Sequence, residues 1–289
     1  MRFFPLALII LISACSAQEA AEDGASSTPA ATEMAIPQLE PLWIADGFSA
    51  PEGVAKAPGG GFFISNVVGD ATAKDGEGWI SILSAEGVVT NSRFIEGLDA
   101  PKGMVVLEGL LYVTDIDTVR IFDAETGDAR GEITIDGAVF LNDATAWQGA
   151  VYVSDSGMAR ISRIADGAAT IWLADEKLGG VNGLLGDGDT MLVSTMETGS
   201  LFAVDTNGAL TEIATGMINA DGIGVVPGGG WLVSSWPGEI HFAAPNGETT
   251  QLLDMRNEET YQNDLSVFGD VVIVPNWLPG TVTAWRIVR

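Results

Sequence analysis

The sequence predicts an all-β protein, a six-bladed β-propeller whose N-terminal strand closes the last blade. Three observations carry this. A short segment of one pattern recurs six times, each copy precedes further short apolar runs divided by Gly-rich turns, and the start of the domain aligns with the end of a later repeat. The copies are "APEGVA" from Ala50, "APKGMVV" from Ala100, "FLNDATA" from Phe140, "GVNGLL" from Gly180, "NADGIGV" from Asn219 and "YQNDLSV" from Tyr261. At one shared position they place Glu52, Lys102, Asn142, Asn182, Asp221 and Asn263, so successive spacings are 50, 40, 40, 39 and 42. Four short strands in a period of about 40–45 residues are the signature of a propeller blade.

The elements of a blade follow in order. The recurring segment is the first, innermost strand, and a Gly five residues ahead of it (Gly47, Gly97, Gly137, Gly216) ends the strand before. Second strands are the apolar runs "GFFISNV", "LLYVTDID", "AVYVSDSG", "TMLVSTME", "GWLVSSWPG" and "VVIVPNWLPG". Third and fourth strands follow, as in "GSLFAVD" and "LTEIATG". The longer first period falls in "NVVGDATAKDGEGW", a long loop between strands two and three of blade one. Blade six stops after its third strand, "GTVTAWRIVR". The N-terminal "LWIADGFSAPEG" aligns without a gap on "TEIATGMINADG", a fourth strand running into the next blade. Residues near 40–47 should therefore supply the missing strand and remove the open edge. The propeller is expected over 39–289 as one domain, since no linker interrupts the repeat.

Composition agrees. The 289 residues are 47% hydrophobic with 36 Gly, which suits many short strands and tight turns. Thirty-nine acids against 13 bases give a net charge of −26, which repels nucleic acid and favours cationic partners, divalent metals included. No basic stripe is visible. One cysteine, Cys15, excludes an intramolecular disulfide, and with His241 the one histidine, Ser-His-Asp, Cys-His and zinc-motif catalysis is not expected. His241, in "GEIHFAAP" on a third strand, reads as structural.

The first residues form a targeting segment. Arg2 precedes the apolar run "FFPLALIILI", too short to span a bilayer comfortably, and small residues then lead to Cys15. "ISAC" resembles the bacterial lipobox, which implies cleavage of residues 1–14 and lipid on Cys15; an ordinary secretory signal is the alternative. Residues 15–38, rich in Ala, Ser, Thr and Glu, read as a disordered tether. The expected location is the cell envelope of a bacterium, periplasmic or at the outer membrane, with membrane contact through the lipid alone.

In a propeller the first strands line the central channel, so the six shared positions converge on one end of the axis. One such residue alone would read as a turn residue bonding nearby backbone. An ordered set offering a Glu, an Asp and three Asn reads as an all-oxygen cage for a hard cation such as Ca²⁺.

The repeats "PEGVA", "LNDATA", "VNGLL" and "ADGIGV", with strands like "LYVTDID" and "VYVSDS", resemble the SMP-30/gluconolactonase/LRE-like superfamily over roughly residues 40–289. The resemblance implies Ca²⁺-dependent lactonase or related hydrolase activity. It also implies a metal held by a Glu, an Asn in an "ND" context, an Asn in an "NG" context and an Asp in a "DG" context. Glu52, Asn142, Asn182 and Asp221 match in identity, blade and order. Two positions depart from the family. Lys102 brings a cation to the blade-two position, where it could compete with a metal or pair with Glu52. Phe140 stands where family gluconolactonases carry an Arg that grips a sugar acid.

Residues after the second strands are expected at the pocket rim: Asn66, Asp115, Asp117, Asp155, Glu197, Trp236, Asn276 and Trp277, with Lys102, Asn263 and Asp264 from the first strands. Trp236 and Trp277 could pack a ligand or the blades. The loop "GDATAKDGEG" is a candidate lid or a solvated insertion. The expected chemistry is hydrolysis of a lactone or activated ester, with Asp221 binding metal and activating water or attacking, and Asp155 or Asp264 as a spare base. A monomer acting on a small molecule is expected; the alternative is a non-catalytic ligand-binding or scaffold propeller.

Overall fold

The computed structural model describes residues Met34–Arg289; the expected signal segment 1–14, the expected lipidation site Cys15 and tether residues 16–33 lie outside the described residues. The first strand, β1 (Gln38–Asp46), belongs to the last blade. Blade one is β2 (Pro51–Lys56), β3 (Phe62–Asn66), β4 (Gly78–Leu83) and β5 (Val89–Leu98). Blade two is β6 (Pro101–Leu107), β7 (Leu110–Asp115), β8 (Thr118–Asp123) and β9 (Ala129–Thr134). Blade three is β10 (Leu141–Trp147), β11 (Ala150–Asp155), β12 (Arg160–Ala165) and β13 (Ala168–Ala174). Blade four is β14 (Val181–Asp187), β15 (Thr190–Thr195), β16 (Ser200–Asp205) and β17 (Leu210–Ala214). Blade five is β18 (Ala220–Val225), β19 (Trp231–Ser235), β20 (Glu239–Ala243) and β21 (Thr249–Asp254). Blade six has an inner strand in two pieces, β22 (Tyr261–Gln262) and β23 (Ser266–Phe268), then β24 (Val271–Leu278), β25 (Thr281–Val288) and β1.

The ring closes as expected. β1 runs antiparallel to β25, from Gln38 opposite Val288 to Asp46 opposite Thr281. The domain starts earlier than residue 39, because Gln38 is already paired and Met34 packs against the core between blades five and six.

Burial explains the strand sequences. All five residues of β3, "FFISN", are buried, because a middle strand has neighbours on both sides and packs on both faces. Outer strands such as β9, "ARGEIT", are largely exposed and carry charges, which discourages edge-to-edge pairing. The apolar core is divided among the described residues into clusters between consecutive blades. Phe63 and Ile80 of blade one meet Leu111 and Val113 of blade two. Trp147 and Tyr152 of blade three meet Met191 and Phe202 of blade four. Ile273 and Val282 of blade six meet Ile64 of blade one, so the closing interface is built like the others. Each fully buried side chain of this kind stabilises by about 1.5–3 kcal/mol.

Candidate functional site

A bulge interrupts the inner strand at the shared position in five of the six blades. Pairing with the second strand shifts register between Pro51 and Val54, Pro101 and Met104, Leu141 and Ala144, Val181 and Leu184, and Ala220 and Ile223. In blade six the strand breaks over residues 263–265 instead. A bulge places an extra residue in one strand and re-aims its side chain. Packing against the next blade restricts the residue after the shared position. A Cβ on Gly53 would lie 2.6 Å from the Lys102 carbonyl oxygen, and one on Gly222 would overlap the Asp264 carboxylate. The same crowding applies at Gly103 and Gly183, whereas blades three and six place Asp143 and Asp264 there.

The bulge amides are satisfied from the second strands. Gly53 N–H donates to Ser65 Oγ (2.7 Å), Asp143 N–H to Ser154 Oγ (2.8 Å), Gly183 N–H to Ser194 Oγ (2.8 Å) and Gly222 N–H to Ser234 Oγ (2.8 Å). Thr114 Oγ1 donates to the Gly103 and Asn142 carbonyls, and Ser194 Oγ to the Asp221 carbonyl. These hydroxyls are fully buried directly behind the ring, and Thr114 and Ser194 tie their blades to the next.

All six shared positions line one cavity of about 340 Å³: Glu52, Lys102, Asn142, Asn182, Asp221 and Asn263. The rest of its wall is Ala71, Phe140, Met196, Trp236 and Trp277. Of the residues expected at the rim, Lys102, Asn263, Trp236 and Trp277 line this cavity. The expectation is corrected for Asp115, Asp155, Asn276 and Asp264, and also for Asn66, Asp117 and Glu197, none of which lines this cavity.

The physical reason is one residue of strand phase. In five blades the second-strand Ser or Thr is engaged at the bulge, so the next side chain turns the other way. There it holds the loop entering its own blade. Asn66 Oδ1 accepts from Ser49 N–H (3.0 Å), Asp115 from Ala100 N–H (2.7 Å), and Asp155 from Phe140 N–H (3.1 Å). Asp115 and Asp155 also pair with Arg120 (3.3 Å) and Arg160 (3.1 Å). Asn276 is buried and donates to Thr281 Oγ1 (2.9 Å). The cavity register lies one residue later, at Met196, Trp236 and Trp277. Asp264 lines a second cavity with Asp143 among the inner strands, so it is not a base for the ring. Met196 is not among the residues expected from the sequence, although its offset from Asn182 matches those of Trp236 from Asp221 and Trp277 from Asn263 within one residue.

The ring is buried and its charges are uneven. Glu52, Lys102, Asn142, Asn182 and Asp221 are each at most 5% exposed. Burial raises the Glu52 carboxyl well above its ordinary range, the nearby Asp221 raises it further, and Lys102 offsets part of this. Asp221 is pushed up to about 7 by burial and by Asp143. Lys102 makes no ion pair with Glu52 within 4.0 Å; its Nζ donates to Ala71 O (2.9 Å) and Ala100 O (3.1 Å) and lies 4.4 Å from the Phe140 ring centroid. Burial lowers the pKa of this ammonium, and Glu52, Asp115 and Asp70 counter it. Its carbonyl bond holds the long loop over the cavity, helped by Lys74–Asp117 (2.7 Å).

Oxygen donors fit a hard cation here. Asn142 Nδ2 donates to Ser156 Oγ (3.3 Å), which leaves its Oδ1 for the cavity. Among the described residues no three His, Cys, Asp or Glu side chains gather as a metal cluster, in keeping with a ring of two acids and three amides. His241 lies on β20, 3.5 Å from Glu239, away from this site.

The sequence matches no protein-family model and no curated protein. Solved structures do match in fold. A gluconolactonase from Xanthomonas campestris is 15% identical with a TM-score of 0.63, covering 89% of this chain and 96% of its own. A catalytically inactive histidine-to-alanine variant of virginiamycin B lyase from Staphylococcus aureus, with quinupristin, is 15% identical with a TM-score of 0.62, covering 88% and 99%. The PQQ-bound aldose sugar dehydrogenase from Streptomyces coelicolor is 14% identical with a TM-score of 0.62, covering 88% and 99%. Identities this low establish shape, and one shape hosts several chemistries. The chain is a six-bladed β-propeller with the architecture that gluconolactonase structures share, and its six inner strands bring an oxygen-rich ring to one buried cavity.

Proposed function

We propose that this propeller is a Ca²⁺-dependent (or other divalent-cation-dependent) hydrolase of a lactone or activated ester. Glu52, Asn142, Asn182 and Asp221 would hold the ion. The observation that carries the proposal is the convergence of these four oxygen-bearing side chains on one buried cavity, where the two carboxylates have no basic partner within 4.0 Å. Buried charges are paired or coordinate metals. A bound Ca²⁺ would polarise the substrate carbonyl and stabilise the developing oxyanion.

The remaining chemistry falls to the chain. Asp221 lines the cavity beside the ion it would help to hold, where its carboxylate would be placed to take a proton from an attacking water. Asn142, oriented through Ser156, would position substrate or water beside it. Met196, Trp236 and Trp277 would exclude bulk water. Of the fold neighbours' activities, lyase chemistry that depends on a histidine is less well supported, because His241 is the only histidine and faces Glu239 on a third strand.

The proposal includes a lipid anchor at Cys15 in the bacterial envelope, a monomeric state and a small-molecule substrate. Hydrolysis of a lactone and aryl-ester panel, in Ca²⁺ and after chelation, tests the activity. Turnover should be lost on chelation and in Asp221→Asn; turnover indifferent to both would refute it. Ca²⁺-dependent stability with no turnover on the panel would favour a ligand-binding propeller instead. Radiolabelled palmitate should label the wild type and not Cys15→Ser.

A further inference from the structure

We infer that the ligand of the ring cavity carries an apolar aryl or alkyl substituent and is not a polyhydroxylated sugar acid. The inference rests on the proposed hydrolase site and specifies its substrate. Beyond the ring, the wall is Ala71, Phe140, Met196, Trp236 and Trp277, among which only the indole N–H groups can donate a hydrogen bond. The wall is rigid. Trp236 and Trp277 pack edge to face with centroids 6.1 Å apart at 85°, and Trp236 also meets Tyr261 at 6.0 Å. Phe140 is held under the Lys102 ammonium at 4.4 Å.

Apolar residues next to the wall in sequence are exposed. Val139 and Leu278, the immediate neighbours of Phe140 and Trp277, are 55% and 47% exposed. Ile218, in the loop entering β18, is 72% exposed. Lys102 does not reverse this, since two of its donors are taken by the Ala71 and Ala100 carbonyls.

The consequences for selectivity come from burial. Each methylene taken from water into such a wall raises affinity roughly fourfold. Each buried hydroxyl left without a partner lowers it by about fivefold or more. A sugar lactone would bury several hydroxyls against indole, phenyl and thioether surfaces. A lactone with an alkyl tail, or an aryl ester, would bury only carbon there and leave its carbonyl to the ring.

The test uses binding, so that it does not depend on turnover. Two unreactive lactams, a δ-lactam bearing a hexyl chain and gluconolactam, are titrated calorimetrically into the full chain in Ca²⁺. The hexyl lactam should bind at least about tenfold more tightly. Trp277→Ala should reduce that preference by about tenfold, and Trp277→Phe, which keeps an aromatic wall, should restore most of it. Equal or tighter binding of gluconolactam, no binding of either lactam, or a preference unaffected by Trp277→Ala would overturn the inference. If the hexyl lactam binds as expected but no lactone is hydrolysed, the hydrolase proposal falls and the apolar ligand class stands.

Discussion

Raising the pH of the metal-free protein should destabilise it, and Ca²⁺ should abolish the effect. Asp221 has its carboxyl pushed from an ordinary 3.8 to about 7 in the folded chain by burial and by Asp143. A carboxyl whose folded value is raised binds more protons folded than unfolded between those two pH values. Its favourable contribution is therefore complete below about 4 and is lost as pH rises through about 7. Three pH units at about 1.4 kcal/mol each set an upper bound of roughly 4 kcal/mol for one isolated group. Glu52 and Asp264 are raised in the same direction, and groups that share a field lose protons in joint steps rather than additively. For a domain of this size roughly 4 kcal/mol corresponds to a melting shift of about 8 °C or more. Differential scanning calorimetry from pH 5 to pH 8 in chelator spans about two of those three units and should show roughly two-thirds of that fall. Ca²⁺ should flatten the profile, because the cation binds the deprotonated carboxylates. In Asp221→Asn the chelated profile should lose part of its slope and the stabilisation by Ca²⁺ should shrink. A melting temperature that is level across this range in chelator, or a fall unchanged by Asp221→Asn, would refute the reasoning.

Ser194→Ala should cost about 1–3 kcal/mol in urea unfolding, because it strands the buried Gly183 N–H and Asp221 carbonyl together, and it should also weaken Ca²⁺ binding at Asp221. Lys102→Met should leave the fold intact but release the Ala71 carbonyl, so amide exchange in residues 70–76 should quicken by about tenfold or more while the blade strands keep their protection. Deleting residues 1–47 removes β1 and bares the edge of β25; the truncated chain should aggregate, and adding a peptide of residues 34–47 should restore soluble monomer as judged by light scattering.

Much of the fold is legible in the chain. The spacings of Glu52, Lys102, Asn142, Asn182, Asp221 and Asn263 give six blades, and the likeness of "LWIADGFSAPEG" to "TEIATGMINADG" gives the closure, because each blade repeats one local pattern of strand and turn. The Gly after four of the six shared residues is a further sign that the next blade's backbone presses against it. Less visible is the direction of the side chains that end the second strands. Asp115 and Asp155 look like pocket acids by position, yet each is drawn back to loop amides and an arginine. Lys102 looks like a rival for the metal, yet its ammonium lies against carbonyls and the Phe140 ring.

By itself the sequence determined the number of blades, the strand that closes them and the six residues that meet on the axis, since periodicity survives in one dimension. Only the tertiary structure decided which neighbours face the cavity, that its outer wall is Phe140, Met196, Trp236 and Trp277, and where the Lys102 charge rests. Those choices depend on which buried amide, carbonyl or carboxylate finds its partner across a bulge or from an adjacent blade, and such partners stand far apart along the chain.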